Sequence, residues 1–599
     1  MSKTDPVSSS KKGASSPWLW VPSLYFAEGI PYVMVMTLSV IFYKRMGISN
    51  ADIALYTSWL YLPWVIKPLW GPVVDILRTK RFWILVMQLC IGAGLAGVAF
   101  TIPVDRFFQF TLAFFWLLAF SSATHDIAAD GFYMLGLSKG DQAFFVGIRS
   151  TFYRLAMLTG QGLLVILAGY FEARTGLPEV EVRVEAVEEQ TPLSFNPEAI
   201  SVEEAGEESY FITAEEIRIG TANIPENEAS KLQLAVDEWN SRHGFYPPEE
   251  GAGTGSPGDT GGAAAETAPS GNMGYTWFRL SKKPEEGEKI VLNFSFDKGD
   301  KSISLARSYR YEFNEQNWEV PAFAVFKLDP KLDKPTSATF SGLSGNIRFA
   351  WTMVFVVVAL LFAGFHIYHR FALPRPAADI SNRSGESGFI KEFLATFADF
   401  FRKKNIGVIL LFLLVYRLGE SQLVKLASPF LLDSREANGM GLTTGDLGLI
   451  YGTIGIIALS IGGIIGGIAA SRRGLKYWLW WMVIAMNLPN LVYVFLSYVM
   501  PSSLWIVAAS VAVEQFGYGF GFTAYMLYMI YVSEGKHKTA HFALTTGFMA
   551  LGMMIPGMVS GWLQELIGYQ HFFIWVMICT IPSFILIPFL KIDPEFGKK

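Results

Sequence analysis

The residues able to do chemistry in this sequence are charged side chains inside long apolar stretches, where a charge is costly and marks a use. Glu28 lies in 25-YFAEGIPY-32, whose Gly-Ile-Pro permits a kink that turns the carboxylate towards a cavity, with Tyr32 beside it; a local pairing that holds spans together is the alternative. The segment 121-SSATHDIAADGFYM-134 puts Asp126 and Asp130 on one helical face, with His125 turned away by about 100°. Two such carboxylates can share a transferable proton. They can equally form a charge-paired latch with Arg149 and Arg154, which begin the next helix near the same membrane side. Lys67, in 61-YLPWVIKPLWGPVVD-75, has a stem long enough to snorkel or to reach a cavity.

In the second part of the chain, 413-LLVYRLGESQLVK-425 places Arg417 and Glu420 within one turn. The planar guanidinium suits a carboxylate on a ligand, and the glutamate can titrate or orient it. Pairing with each other would remove both from direct binding. Lys425 is a further candidate ligand contact. In 514-EQFGYGFGFTAYMLY-528, Glu514 and Tyr518 share a face with Gln515 alongside, a set suited to hydroxyls and amides. The glycines between them, like Gly462, Gly463, Gly466 and Gly467, read as close helix contacts, since no strand and no lysine make them a phosphate loop.

Only long apolar helices can carry charges placed this way. Of the 599 residues, 51% are apolar and 17% charged, against roughly 25% charged in a soluble domain. Apolar runs near 18–42, 52–74, 82–103, 107–130, 144–170, 347–370, 406–432, 444–470, 475–499, 502–532, 539–566 and 571–590 can each cross about 30 Å of hydrocarbon. The expected fold is therefore an all-α polytopic membrane protein with 12 transmembrane helices. The first run is not a cleaved leader, because it lacks a small-residue cleavage pattern.

Charge orients the spans. Arg78, Lys80, Arg81, Lys139, His369, Arg370, Arg402, Lys403, Lys404, Arg472, Arg473, Lys476, Lys536 and Lys538 fall in alternate joints, with Lys11 and Lys12 at the amino end and Lys598 and Lys599 at the carboxyl end. Those joints and both termini are cytoplasmic by the positive-inside rule, with Lys44 and Arg45 the main exceptions.

The stretch between spans 5 and 6 then lies outside. Residues 171–345 hold 31 acidic and 16 basic side chains, leaving 21 and 32 for the rest, so a formal net charge of -4 conceals two oppositely charged parts. Within the stretch, 251–271 reads as a flexible connection, 289–296, 302–308 and 322–328 as short strands, and 230–240 as helical. It is either a small external α+β domain or an extended acidic loop. The expected division is helices 1–5 in 1–170, the acidic insert in 171–346, helix 6 in 347–370, a cytoplasmic connection in 371–403 and helices 7–12 with a tail in 404–599. The long connection after span 6 suggests two six-helix halves.

Scattered basic joints argue against nucleic acid as a partner. Cys90 and Cys579 both sit in apolar runs and cannot staple an exported domain. His537 and His541 lack the further ligands of a metal site, and His243 is alone in the insert, so neither a metal, a cofactor nor a catalytic constellation is expected.

The blocks 25-YFAEGIPY-32, 59-WLYLPWVIKPLWGPVVD-75, 121-SSATHDIAAD-130, 416-YRLGE-420, 514-EQFGYGFGFTAYMLYM-529 and 541-HFALTTGFMALGMMIPG-557 resemble the AmpG-like muropeptide permeases of the major facilitator superfamily, a family also related to acetyl-coenzyme A transporters. The similarity runs through roughly 1–170 and 347–590. It implies a monomeric bacterial inner-membrane symporter that imports cell-wall sugar-peptides with protons. Glu28, Tyr32, Arg417, Lys425, Glu514, Gln515 and Tyr518 would then meet cargo, and Glu28, Asp126, Asp130, Glu420 and Glu514 would couple the proton. The resemblance also makes 71-GPVVDILRTKR-81 look like a cytoplasmic gate motif, with Asp75, Arg78, Arg81, Arg149 and Arg154 as gate residues. The insert departs from a compact permease and would be free to bind an envelope partner. The alternatives are a carrier of acetyl-coenzyme A or another sugar or peptide conjugate, and a nontransporting envelope receptor.

Overall fold

Serine and threonine hydroxyls begin several helices: Ser49, Ser138 and Thr443 accept the N–H of Asp52, Asp141 and Asp446, and Thr79 accepts that of Phe82, so helices start where the first turn's orphan donors find a partner. The computed structural model describes residues 16–189, 195–200, 210–245, 269–284, 290–307, 310–377, 379–380, 395–435, 437–501, 503–535 and 537–598. Lys11, Lys12, Lys536, Lys599, most of the 251–271 connection, residues 381–394 and the side chains of Asp75 and Lys139 lie outside them.

The chain divides into two units, one of Met1–Ala168, Trp351–Leu432 and Thr443–Lys599, the other of Gly169–Ala350 with Asp433–Leu442. The first unit is helical. Among the described residues eight helices are long and apolar enough to cross a membrane, where the sequence predicts twelve spans. The difference has a physical reason at two glycines. Gly474 (φ 79°) and Gly568 (φ 75°) take a left-handed backbone inside otherwise continuous helices. Around Gly474 the chain doubles back: a Cβ on Gly462 would meet the Phe516 carbonyl, and one on Gly517 the Ala485 carbonyl, both at 2.1 Å, so both arms lean on one level of helix Leu504–Ser533. Around Gly568 the same holds against Leu418–Leu432, with Gly557 at Ser421 on one arm and Trp575 bonded to Gln422 on the other. Predicted span 52–74 is also broken, into Asn50–Trp59 and Leu62–Leu77, the second opening on a proline whose missing N–H a first turn tolerates.

The second unit is a layered α+β domain. One sheet runs Glu216–Gly220, Val180–Val187, Thr336–Ser344, Ile290–Gly299, Arg310–Phe313; the other runs Phe211–Thr213, Met273–Leu280, Ala322–Leu328, Ile303–Arg307. All pairings in these two sheets are antiparallel except Val180–Val187 with Glu216–Gly220. Alternate residues of each sheet face the other: Val182, Val184, Phe294 and Phe340 meet Phe278 and Phe326 in one buried core, with Phe278 and Phe294 edge-on at 4.7 Å. Helix Glu226–Arg242 covers the back of the smaller sheet through Ala229, Leu232 and Val236.

Candidate functional site: a carboxylate cluster and a second charged layer

Helix Pro17–Val33 carries Glu28, and helix Phe107–Gly136 carries Asp126 and Asp130 one turn apart. One oxygen from each lies within 4.8 Å of the others. Lys67 pairs with Asp126, and Arg149 reaches Asp130 at 2.8 Å while lying over the rings of Tyr25 and Tyr133. The Tyr25 hydroxyl donates to the same Asp130 oxygen at 3.1 Å. Glu28 is buried, and its Oε2 has no hydrogen-bond partner. Three carboxylates thus face two cations, and each of the two aspartates already holds one. That arrangement suits the gain and loss of a proton better than capture of a metal ion, whose place the ammonium and guanidinium fill.

The second layer lies on Leu418–Leu432 and Leu504–Ser533. Arg417 closes a two-point pair on Glu420, Nε to Oε2 at 2.8 Å and Nη2 to Oε1 at 3.0 Å, and Nη2 also donates to the Tyr518 hydroxyl at 2.7 Å. The guanidinium also lies 5.2 Å from the Phe522 ring centre, so its charge and its face are both engaged. Gln515 donates to Glu514 at 2.9 Å. Lys425 donates to Thr57 at 2.9 Å and lies over the Tyr61 ring. Tyr32 packs edge-on against Trp64.

Several placements differ from those the spacing predicts. Tyr518 turns to Arg417, whose Nη2 its hydroxyl accepts, and no bond joins it to Glu514 among the recorded contacts of the described residues. Glu420 belongs to the Arg417 pair and stands apart from the three-carboxylate cluster. Arg154 does not join Asp126 and Asp130; it donates to the Ser460 carbonyl at 3.4 Å. Arg81 binds the carbonyls of Arg370 and Leu373, while the N–H groups of Lys80 and Arg81 bond the Asp379 carboxylate at 2.7 and 3.1 Å, an anion at a helix N-terminus. Arg78 lies over Phe82. Of the predicted gate residues that are described, Arg78 is therefore engaged with Phe82, and Arg81 with Arg370, Leu373 and Asp379.

Two networks carry no short-range signal in the sequence. Lys44 donates to Asn50, whose amide nitrogen donates to Gln564 at 2.7 Å and to Tyr569 at 2.8 Å; beside them the Ala51 N–H bonds Glu565. This joins residues 514 and more positions apart. The other runs inward from the half-buried Ser23: Ser23, His369, Gln88 and His125 are linked in series, with contacts of 2.9, 2.8 and 3.1 Å, and the last three are buried. His125 thus satisfies a helix-to-helix bond through one ring nitrogen, and its Nδ1 has no partner.

Comparison with known proteins agrees with this frame. Residues 28–195 match the BT1 family model. The chain is 26% identical over 308 residues to a Rickettsia felis protein named AmpG 4, covering 50% of this chain and 71% of that one. It is 28% identical over 194 residues to the anhydromuropeptide permease of Escherichia coli (strain K12), covering 32% of this chain and 38% of the permease. Among solved structures, the nucleoside transporter NupG superposes with a TM-score of 0.51 at 12% identity, over 96% of this chain and 98% of that one. The helical unit thus has an all-α polytopic membrane fold resembling that of a solved transporter, and the chain carries in addition a β-rich insert. The chain is distantly similar to proteins named as AmpG transporters.

Proposed function

We propose that this protein imports anhydromuropeptides or closely related cell-wall sugar-peptides from periplasm to cytoplasm, driven by protons. The observation that carries the proposal is the surplus carboxylate at Glu28, Asp126 and Asp130, with Lys67 and Arg149 as the only cations paired there among the described residues. One proton makes the cluster neutral and its loss restores a net negative charge, so occupancy of the site changes the field felt by helices Pro17–Val33 and Phe107–Gly136. The unpartnered Oε2 of Glu28 is an open place for that proton; an orphaned buried polar atom costs about 1–3 kcal/mol, which a proton shared with a neighbouring carboxylate removes.

The architecture that serves this is twelve spans in two halves. Eight long apolar helices, two of them doubling back at Gly474 and Gly568, supply ten passages; Asn50–Leu77 and Leu504–Ser533 supply the others. The boundaries are those at 170, 346, 370 and 403, with both termini cytoplasmic and the insert in the periplasm, where it can meet an envelope partner; the working form is a monomer. Asn50, Gln564 and Tyr569 then close the periplasmic end. Tyr32, Gln515 and Tyr518 face sugar hydroxyls and amides, Glu514 is a second protonation site, and Arg417 with Glu420 orients cargo as a neutral pair. Asp75, Arg78 and Arg81 serve the cytoplasmic gate. Because Glu420 balances Arg417, the layer offers little net positive charge to a polyanion such as acetyl-coenzyme A. The similarity to a protein named as an anhydromuropeptide permease supports the cargo class.

Uptake of labelled anhydromuropeptide into proteoliposomes is the test. Accumulation that rises with an inward proton gradient is expected, and correctly inserted protein that accumulates none under either condition excludes the proposal.

A further inference from the structure

In the helical unit, the half-buried Lys67 and Arg149 and the buried Arg417 each hold a carboxylate. Lys425 does not: among the described residues no carboxylate lies within ion-pair distance, and its recorded contacts are the Thr57 hydroxyl and the Tyr61 ring. It is 1% exposed. An ammonium carries three N–H donors, and Thr57 takes one. Thr57 in turn donates its own proton to the Ile53 carbonyl at 2.6 Å, so it cannot turn away.

A second orphan lies at the same seam. The Ser58 hydroxyl is buried and has no partner. Gly557 ties the two together: a Cβ built there would stand 2.7 Å from Ser58 Oγ and 3.5 Å from Lys425 Cγ. Helix Asn50–Trp59 and helix Leu418–Leu432 thus both close on the bare backbone of Gly557, against which lie the unpartnered Ser58 hydroxyl and the stem of Lys425, where amino-terminal and carboxyl-terminal helices meet.

We infer that Lys425 and Ser58 form a carboxylate-binding subsite, and that Lys425, not Arg417, anchors the acid group of the cargo. Two oxygens of one carboxylate match an ammonium with spare donors and a hydroxyl with its proton free; Arg417 already spends its fork on Glu420. The site is at the seam that must part as the halves rock, so a ligand entering there replaces contacts between helices with contacts to itself. This rests on the sugar-peptide reading, whose cargo carries either a lactyl or a peptide carboxylate.

The experiment measures binding to the full-length protein in nanodiscs with three probes: the anhydro-disaccharide bearing a free lactyl acid, its neutral lactyl amide, and the peptide-bearing form. Wild type is expected to prefer the acid to the amide by about tenfold or more, Lys425→Met to lose that preference, and Lys425→Arg to keep it. A Lys425→Met loss for the peptide-bearing form alone assigns the subsite to the peptide carboxylate. Equal wild-type affinity for acid and amide, with no Lys425→Met loss on the peptide form, overturns the inference, as does full discrimination in Lys425→Met. Should Lys425→Met not fold, Ser58→Ala, expected to weaken acid but not amide, decides. Wild type that binds no probe overturns the sugar-peptide reading itself, a result distinct from binding without discrimination.

Discussion

Asn50 and Gln564 meet amide to amide at 2.7 Å across 514 residues of chain, both buried. One Asn50 nitrogen also serves Tyr569, and Lys44 supports its oxygen, so the contact is satisfied on every side. Removing Asn50 leaves Gln564 and Tyr569 short of a partner in the closed arrangement, but not once water enters an opened end.

Asn50→Ala is therefore expected to favour opening at this end by about tenfold, the effect of a buried hydrogen bond or two. Labelling of cysteines placed beside Gln564 by an impermeant reagent checks this. An unchanged labelling rate would mean that the network is not a closing contact.

Arg417 and Glu420 hold each other through two parallel bonds. Lysine cannot reproduce the fork, so Arg417→Lys should lower uptake about tenfold even though charge is kept. Glu420→Gln strands a buried guanidinium and should be worse than the double replacement Arg417→Leu with Glu420→Leu in thermal stability. A double variant less stable than Glu420→Gln contradicts the pairing as the main role of Glu420.

The sandwich core of the insert is aromatic, and Phe326 contacts Phe340 at 4.8 Å between centroids, from opposite sheets. Phe326→Ala should destabilise that domain by about 3–5 kcal/mol. Limited proteolysis of the full chain should show cleavage within the insert while uptake by the helical unit persists. Loss of uptake in parallel with cleavage would make the insert part of the transport machinery.

In the insert, Asp300 accepts the Ser302 N–H at 2.9 Å, and this bond, with hydroxyls of Ser302 and Thr336, holds its carboxyl below the usual carboxylate range against the opposing effect of burial. A carboxyl depressed on folding stabilises the fold above its unfolded value of about 3.9, and the contribution fades as pH falls through the folded value. Asp300→Asn should make the strand turn at 299–303 exchange amide hydrogens faster at pH 7, with the gap to wild type narrowing in acid. A gap constant with pH would assign the effect to shape and not to charge.

Much of the site is legible in the sequence. Asp126 and Asp130 are one turn apart, and helical spacing alone puts them on one face; Arg417 and Glu420 pair for the same reason. Val180–Val187 alternates apolar and polar residues from Val180 to Ala186, a strand pattern set among acidic residues that the strands expected at 289–296, 302–308 and 322–328 do not include. What spacing cannot supply is which distant helix faces a given residue. Tyr25, Gln88 and His369 join the clusters only through helix packing, and Asn50 finds Gln564 from the far end of the chain. The reversals at Gly474 and Gly568 are legible as breaks between apolar runs, Arg472 and Arg473 marking the first, and the left-handed backbone of each glycine shows how sharply the chain turns there.

The central claim, that proton movement through Glu28, Asp126 and Asp130 drives cargo uptake, is tested most directly by recording internal pH in proteoliposomes as anhydromuropeptide is added outside, without an imposed gradient. Acidification of the interior on cargo addition to wild type, abolished in Asp126→Asn and reduced in Glu28→Gln while cargo still binds, is the predicted result. Cargo entry with no proton movement in wild type, or undiminished acidification in both variants, would contradict it.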